Sequence, residues 1–328
     1  MREATLDGNI NNELPVFSAE KKYLFVGMIL SVLVWAIALI GTKGLLLLAL
    51  PLVWLVSLFA HSALVAHLRG NAIRVSETQF PQLYASLLKC ADRLSMKKIP
   101  ECYLMNNGGM FNAFATHFLK KKYVVLMAPI IDSLQDRPSS LDFYLGHELG
   151  HIKRHHVSRH LLLLPFRMLP IAGLAYSRAC EYTCDLIGLT CCDDVKDAQY
   201  GLTVLAAGKT QWKNVNIAEF QAQTARGREF WLSFHELTSS HPWLTNRCKV
   251  LQSYAESAPI KLPTKSFWAY IPALFIPNIT HSKALNFLLA VYVIFFLGYS
   301  MTLGVDNALN RLQQQHAGSP YYLEHYNQ

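Results

Sequence analysis

The sequence has no internal repeat and no low-complexity linker, so it encodes neither a solenoid nor a string of flexibly tethered modules. It also lacks a disulfide framework. Its seven cysteines are odd in number and irregularly spaced, which fits a reducing compartment better than a secreted domain. The adjacent Cys191 and Cys192 read as unpaired structural thiols, with lipidation or redox chemistry as the alternative. Acidic residues are scarce, 22 against 30 Lys plus Arg, for a net charge of +8. That excess suits a surface lying against anionic lipid headgroups, and its distribution matches no nucleic-acid module, so no nucleic-acid partner is expected.

What the chain has in quantity is uncharged apolar sequence. Tyr23 to Ile40 is one such run, Leu45 to Leu68 a second interrupted only by Pro51, His61 and His67, and Ala284 to Val305 a third. Each approaches or exceeds the ~20 residues that span about 30 Å of hydrocarbon. The short Gly41-Thr42-Lys43-Gly44 connection predicts a helical hairpin from the first two. The first run is too long and too closely followed by a second to be a cleaved signal peptide. Lys21 and Lys22 precede the hairpin, Arg69 and Arg74 follow it, and only Lys43 lies in its turn, which places the amino terminus and central region in the cytosol.

Within the central region stands His147-Glu148-Leu149-Gly150-His151. Two histidines four apart on a helix lie about 40° apart around its axis and about 6 Å along it, so both imidazoles reach one zinc ion. Glu148 then points beside the metal, where it can take a proton from water. Pro138-Ser139-Ser140 supplies a stop with hydroxyl N-caps, Asp142 suits the positive end of the helix dipole, and Lys153-Arg154 suits the negative end. Gly146 and Gly150 share another face, where a second element could approach closely. Taken alone, the motif is equally compatible with a core helix carrying two chance histidines.

A catalytic zinc needs a third ligand. His155 would lie about 12 Å along the axis from His147, too far for one ion, so His155, His156 and His160 read as exposed or helix-end residues. Glu181 is the better candidate. Asp185 shares its face four residues on, where it could accept the second ring N–H of a zinc histidine and fix its orientation. Taken alone, this pair reads better as an ordinary solvated acidic face.

These motifs, in this order, resemble the M48 family of gluzincin peptidases, which includes HtpX-like membrane proteases. The resemblance covers roughly residues 78 to 255. Asn112-Ala113-Phe114-Ala115-Thr116 is similar to the family's N-A-F-A-T segment, His147 to His151 to its zinc helix, and Ser177 to Asp185 to its third-ligand helix; Ser240-His241-Pro242 with Arg247 is similar to its H-P-x-x-x-x-R ending. Two positions depart from the pattern. His117 stands where glycine is usual, and Cys184 where alanine is usual.

The resemblance implies one Zn2+ per chain held by His147, His151 and Glu181, with Glu148 as general base and Asp185 orienting a ligand. It also implies His241 as an oxyanion donor, and Asn112 and Ala113 at a substrate-binding edge. Arg247 would either stabilise the cleft or hold acidic residues of the domain. The implied activity is zinc-dependent endopeptidase cleavage of membrane or misfolded polypeptides in quality control, although some members act on prenylated peptides. The implied setting is a bacterial inner membrane with the active site facing the cytosol. Two other readings remain open at this level: an inactive zinc-containing chaperone or assembly factor, and a zinc hydrolase of a non-peptide amide.

The expected fold is mainly α, a gluzincin-type domain with a small β-sheet plus transmembrane helices. Its divisions are an N-terminal tail (1–20), the hairpin (21–70), the peptidase domain (71–262), carboxyl-terminal membrane segments (263–306) and a polar tail (307–328). Gln82 to Ser95 has a helical period, and Cys102 to Met105 and Tyr123 to Met127 read as short strands around Asn112. Leu161 to Tyr176 is apolar, yet it carries Arg167, Pro165 and Pro170 and separates the histidines from Glu181. A single crossing there would split the zinc site across the membrane, so this segment is predicted not to span. Phe267 to Ile279, short and holding Pro272 and Pro277, is ambiguous.

Overall fold

The computed structural model describes residues 3–4, 14–106, 113–119 and 121–276. The third apolar run, the polar tail and Asn112 lie outside the described residues.

Helices α1 (Ser18–Gly41) and α2 (Leu45–Asn71) form the hairpin, and both are long and apolar enough to cross a membrane. Their turn places Lys43 and Gly44 at positive φ, with Gly44 N–H bonded to Leu39 C=O and Lys43 N–H to Ile40 C=O. These two bonds satisfy carbonyls that the end of α1 would otherwise leave open. Phe25, Ile37, Leu48 and Phe59 stand exposed along the pair, as lipid-facing residues would.

Val16 and Phe17 are buried, Phe17 belongs to the main hydrophobic core, and α1 begins at Ser18. Val16, Phe17 and Glu20, all ahead of the apolar run, are therefore packed inside the domain.

After α2 come β2 (Ile73–Arg74), α3 (Pro81–Arg93), β3 (Glu101–Met105), β4 (Ala113–Phe118) and β5 (Lys121–Met127). The strands form one sheet in the order β2-β3-β5-β4, with β3 and β5 parallel and the other pairs antiparallel. In β5, Tyr123 to Met127 are all buried, the continuous apolar reading of an interior strand. β4 is an edge strand, paired to β5 from Ala113↔Leu126 to Phe118↔Lys121.

The chain continues through α4 (Ala128–Ser133), α5 (Pro138–Lys153), α6 (Leu164–Met168), α7 (Ala172–Cys191), α8 (Val195–Gln211), α9 (Ile217–Ala222), α10 (Phe230–Leu237), α11 (Leu244–Ala255), β6 (Ile260–Lys261) and α12 (Phe267–Ala273). A separate two-stranded pairing joins β1 (Glu3–Ala4) to β6.

Helix α5 starts ahead of the serines expected to cap it, at Pro138. Pro138 occupies its first turn, Arg137 is the cap residue, and no side chain caps the amino terminus. Ser139 instead accepts a hydrogen bond from Asp193 N–H at 2.9 Å. Asp142 is paired with Lys89 at 2.8 Å.

From Ser140 through Gly150 every residue of α5 is buried, and α7 is its principal neighbour. Close approach is built on glycine. A Cβ on Gly146 would fall 2.7 Å from Cys191 Sγ and 2.9 Å from Gly188 Cα, and one on Gly188 would fall 2.7 Å from Phe143 C=O. Gly150 faces Cys184 at 3.3 Å, so the small thiol fits where the second glycine leaves room. All seven cysteines are free thiols.

Leu161 to Tyr176 does not form one long helix. It divides into a turn, the five-residue α6, a break at Leu169–Ile171 around Pro170, and the first turn of α7. Helix α12 has only seven residues, and the chain from 277 onward lies outside the described residues.

Candidate active site

Packing α5 on α7 brings three donor groups together. His147 Nε2 and His151 Nε2 are 3.3 Å apart, and Glu181 of α7 sets Oε2 3.5 Å from the first and Oε1 3.5 Å from the second. A tetrahedral zinc with bonds of about 2.0–2.1 Å sets neighbouring ligand atoms about 3.3–3.4 Å apart, so the two imidazole nitrogens have the spacing of two such vertices and the carboxylate stands within reach of a third. Charge agrees with size. Burial disfavours charge on His147, but Asp185 and Glu181 outweigh it and push its pKa up to about 10. Burial works the same way on Glu181, yet His147, His151 and Arg247 hold it well below the usual carboxylate range. Burial pushes His151 down to about 3. The buried Glu181 carboxylate therefore faces a place where a positive charge belongs, and these residues fit a zinc ion.

His147 is anchored from behind. Its Nδ1–H donates to Asp185 Oδ1 at 2.9 Å, and Arg247 grips Asp185 through Nε at 2.7 Å and Nη2 at 2.5 Å. Of the two roles expected for Arg247, its geometry shows the holding one: the side chain is buried, two donors are engaged by Asp185, and Nη1 lies 3.9 Å from Glu181. Asp185 is fully buried on the same face as Glu181.

Glu148 is buried, and burial pushes its pKa up to about 7. The backbone N–H of Ala115 donates to it, so the edge strand β4 lies beside the Glu148 carboxylate rather than across the domain. A carboxylate poised near neutrality is suited to taking and returning a proton. Ala113 opens β4, while His117, further along, has its ring centroid 6.3 Å from that of His61.

His241 is largely exposed, with Nε2 3.7 Å from Glu181 Oε1. Its backbone N–H donates to Ser239 Oγ, and Ser240 Oγ lies 2.9 Å from its Nδ1. The loop is fixed by Arg178, whose Nη1 donates to the carbonyls of Glu236, Leu237 and Ser239. Sequence reasoning gave Arg178 no role, although it lies three residues before Glu181; only the fold brings the His241 loop to it. His156, expected to be exposed or at a helix end, lies just past α5 but is buried against His151.

Two histidines one helical turn apart, a carboxylate from a second helix and a buried glutamate at their side define a hydrolytic metal centre. The model of Peptidase family M48 matches residues 77–173 and 160–255, and the chain belongs to that family. No curated protein and no solved structure matches it. The chain is thus a metallopeptidase by family, and M48 metallopeptidases use zinc.

Proposed function

We propose that the protein is a membrane-anchored zinc endopeptidase that cuts extended polypeptide, with membrane or misfolded proteins as its substrates and its active site on the cytosolic face. The observation that carries this reading is the convergence of His147, His151 and Glu181, within 3.3–3.5 Å of one another, with Glu148 and the edge strand β4 beside them. Basic residues at both feet of the hairpin, Lys21, Lys22, Arg69 and Arg74, support the orientation. Among the described residues no further strand joins the sheet beyond β4, which favours a polypeptide, because an extended backbone can add there as a further strand.

His147, His151 and Glu181 would hold the ion, which when bound acidifies water and polarises a carbonyl. Glu148 takes the proton from the attacking water and delivers it to the leaving amine. Asp185 and Arg247 keep His147 in the tautomer that leaves Nε2 free to ligate. His241, at the solvent-facing rim, supplies a donor to the oxyanion as the carbonyl becomes tetrahedral. Asn112 and Ala113 align the substrate along β4.

The test is Glu148→Gln in detergent-purified full-length protein, incubated with an unfolded membrane protein. The variant is expected to bind zinc like the wild type and release no fragments, and to retain uncut substrate for identification. Chelator-resistant cleavage, or full activity in Glu148→Gln, would overturn the scheme. Zinc binding without cleavage of any polypeptide would favour an assembly factor or a hydrolase of non-peptide amides.

A further inference from the structure

His151 has a support of its own, and it reaches the foot of the first membrane helix. Helix α5 ends in a turn where His155 adopts φ 61, a left-handed conformation usually given to glycine. His156 N–H bonds to His151 C=O at 3.1 Å and His155 N–H to Ile152 C=O at 3.3 Å, closing the helix end. The turn folds the His156 ring back, so that its Nδ1 lies 3.1 Å from His151 Nδ1 and 3.6 Å from Cys184 Sγ. On its far side, His156 Nε2 is 3.2 Å from Glu20 Oε1. Arg154 donates to the same oxygen through Nε at 3.1 Å and Nη2 at 2.8 Å.

Glu20 is fully buried although it stands in the first turn of α1. It is held there by the docking of that helix on α7. Phe17 N–H donates to Thr183 Oγ1 at 3.1 Å, and the Phe17 ring lies against Tyr182 at 4.8 Å. Both partners belong to the helix that carries Glu181.

The protons in this chain have one consistent arrangement. For His151 Nε2 to ligate, its proton must be on Nδ1, which donates to His156 Nδ1. His156 then carries its own proton on Nε2, which donates to Glu20 Oε1. We propose that His156 and Glu20 are positioning residues of the zinc site, fixing the ring and tautomer of His151 as Asp185 and Arg247 fix those of His147. This rests on His147, His151 and Glu181 being the zinc ligands. Each zinc histidine is thereby backed by a carboxylate that an arginine holds in place, and for His151 that carboxylate comes from the membrane anchor. Glu20, His156 and Cys180 also lie close enough together to hold an ion of their own. Arg154, however, already supplies the positive charge at Glu20, and His156 Nδ1 is turned toward His151.

The experiment uses full-length protein in detergent, stripped of metal and titrated with zinc against a competing chelator. Cobalt(II) in place of zinc reports ligand geometry through its visible spectrum. Wild type is expected to bind one ion per chain. His156→Ala and Glu20→Ala should each weaken zinc by about 10–100-fold and alter the cobalt spectrum. Because the two act in series, the double variant should bind no more weakly than His156→Ala alone. Glu20→Gln, which keeps an accepting oxygen and the side chain's shape, should fall between wild type and Glu20→Ala; it carries the test if unfolding of the metal-free alanine variants shows that they do not fold. Unchanged affinity and spectrum in His156→Ala and Glu20→Gln would overturn the proposal, as would additive losses or a second ion lost on His156→Ala. A wild-type chain that binds no zinc would instead overturn the assignment of the zinc site itself.

Discussion

Replacing Gly146 with alanine tests whether the α5–α7 contact sets the ligand spacing. The added methyl would stand 2.7 Å from Cys191 Sγ, 2.9 Å from Gly188 Cα and 3.0 Å from Cys191 Cβ. The Gly188 atom is backbone and cannot rotate away. Restoring ordinary contact requires α7 to retreat from α5 by about 0.5–1 Å, since interiors are too densely packed to absorb the methyl otherwise. Overpacking of this kind costs about 1–3 kcal/mol. Alanine returns about 1 kcal/mol as a better helix former than glycine. The balance is a loss of about 1 kcal/mol, read as a fall of about 2–4 °C in the unfolding midpoint for a domain of this size.

The larger effect should be on metal. Glu181 rides on α7, so the same retreat opens the 3.5 Å gaps to His147 and His151. A shift of that size exceeds the tolerance of about 0.2 Å on metal–ligand distances, and zinc affinity should drop at least about tenfold. Gly150→Ala is the internal comparison. Its nearest contacts, Cys184 Cα and Sγ at 3.3 Å, ask the neighbours to give only a few tenths of an ångström. Thermal unfolding of the metal-free protein and competitive zinc titration measure both quantities. A Gly146→Ala protein as stable as wild type, with unchanged zinc affinity, would refute the claim that the glycine contact sets the site's dimensions.

Chelation should abolish peptide cleavage by the wild type and zinc should restore it, followed as fragments on a gel; activity that survives complete metal removal would count against the site. Asp185→Asn leaves Arg247 buried without its carboxylate and should cost about 3–5 kcal/mol of stability, besides weakening zinc, as denaturant unfolding and metal titration would show. Phe17→Ala should cost about 3–5 kcal/mol, because the ring is buried in the main core against Tyr182; an unfolding curve like the wild type's would return residues before the hairpin to the status of a tail.

The candidate ligand set was legible because its chemistry is local. His147, Glu148 and His151 lie on one helix, Glu181 and Asp185 on another, and helical spacing alone puts each set on one face. The two glycines of α5 likewise announced a close neighbour, and their packing against α7 is what they provide. What was not legible depends on contacts across the chain. Arg247 meets Asp185 from 62 positions away, and Glu20 meets His156 from 136. Nothing in the spacing of His155 and His156 indicates that the first takes a conformation usually reserved for glycine and thereby turns the second inward. The Ser139 cap failed because proline at the first helical position already satisfies the start of α5, leaving the hydroxyl to accept from Asp193.

The docking of the first helix on α7 has a consequence for how the molecule can be divided. Phe17 and Glu20 precede the apolar run, yet they complete the core and the surroundings of His151. A chain cut at residue 71 to yield a water-soluble enzyme would lose both. It would bare the Tyr182 face and leave Arg154 and His156 without their carboxylate. Hairpin and peptidase domain are therefore not interchangeable parts: replacing the first helix with another apolar helix of equal length would keep its hydrophobicity while removing groups that pack against α7 and His156.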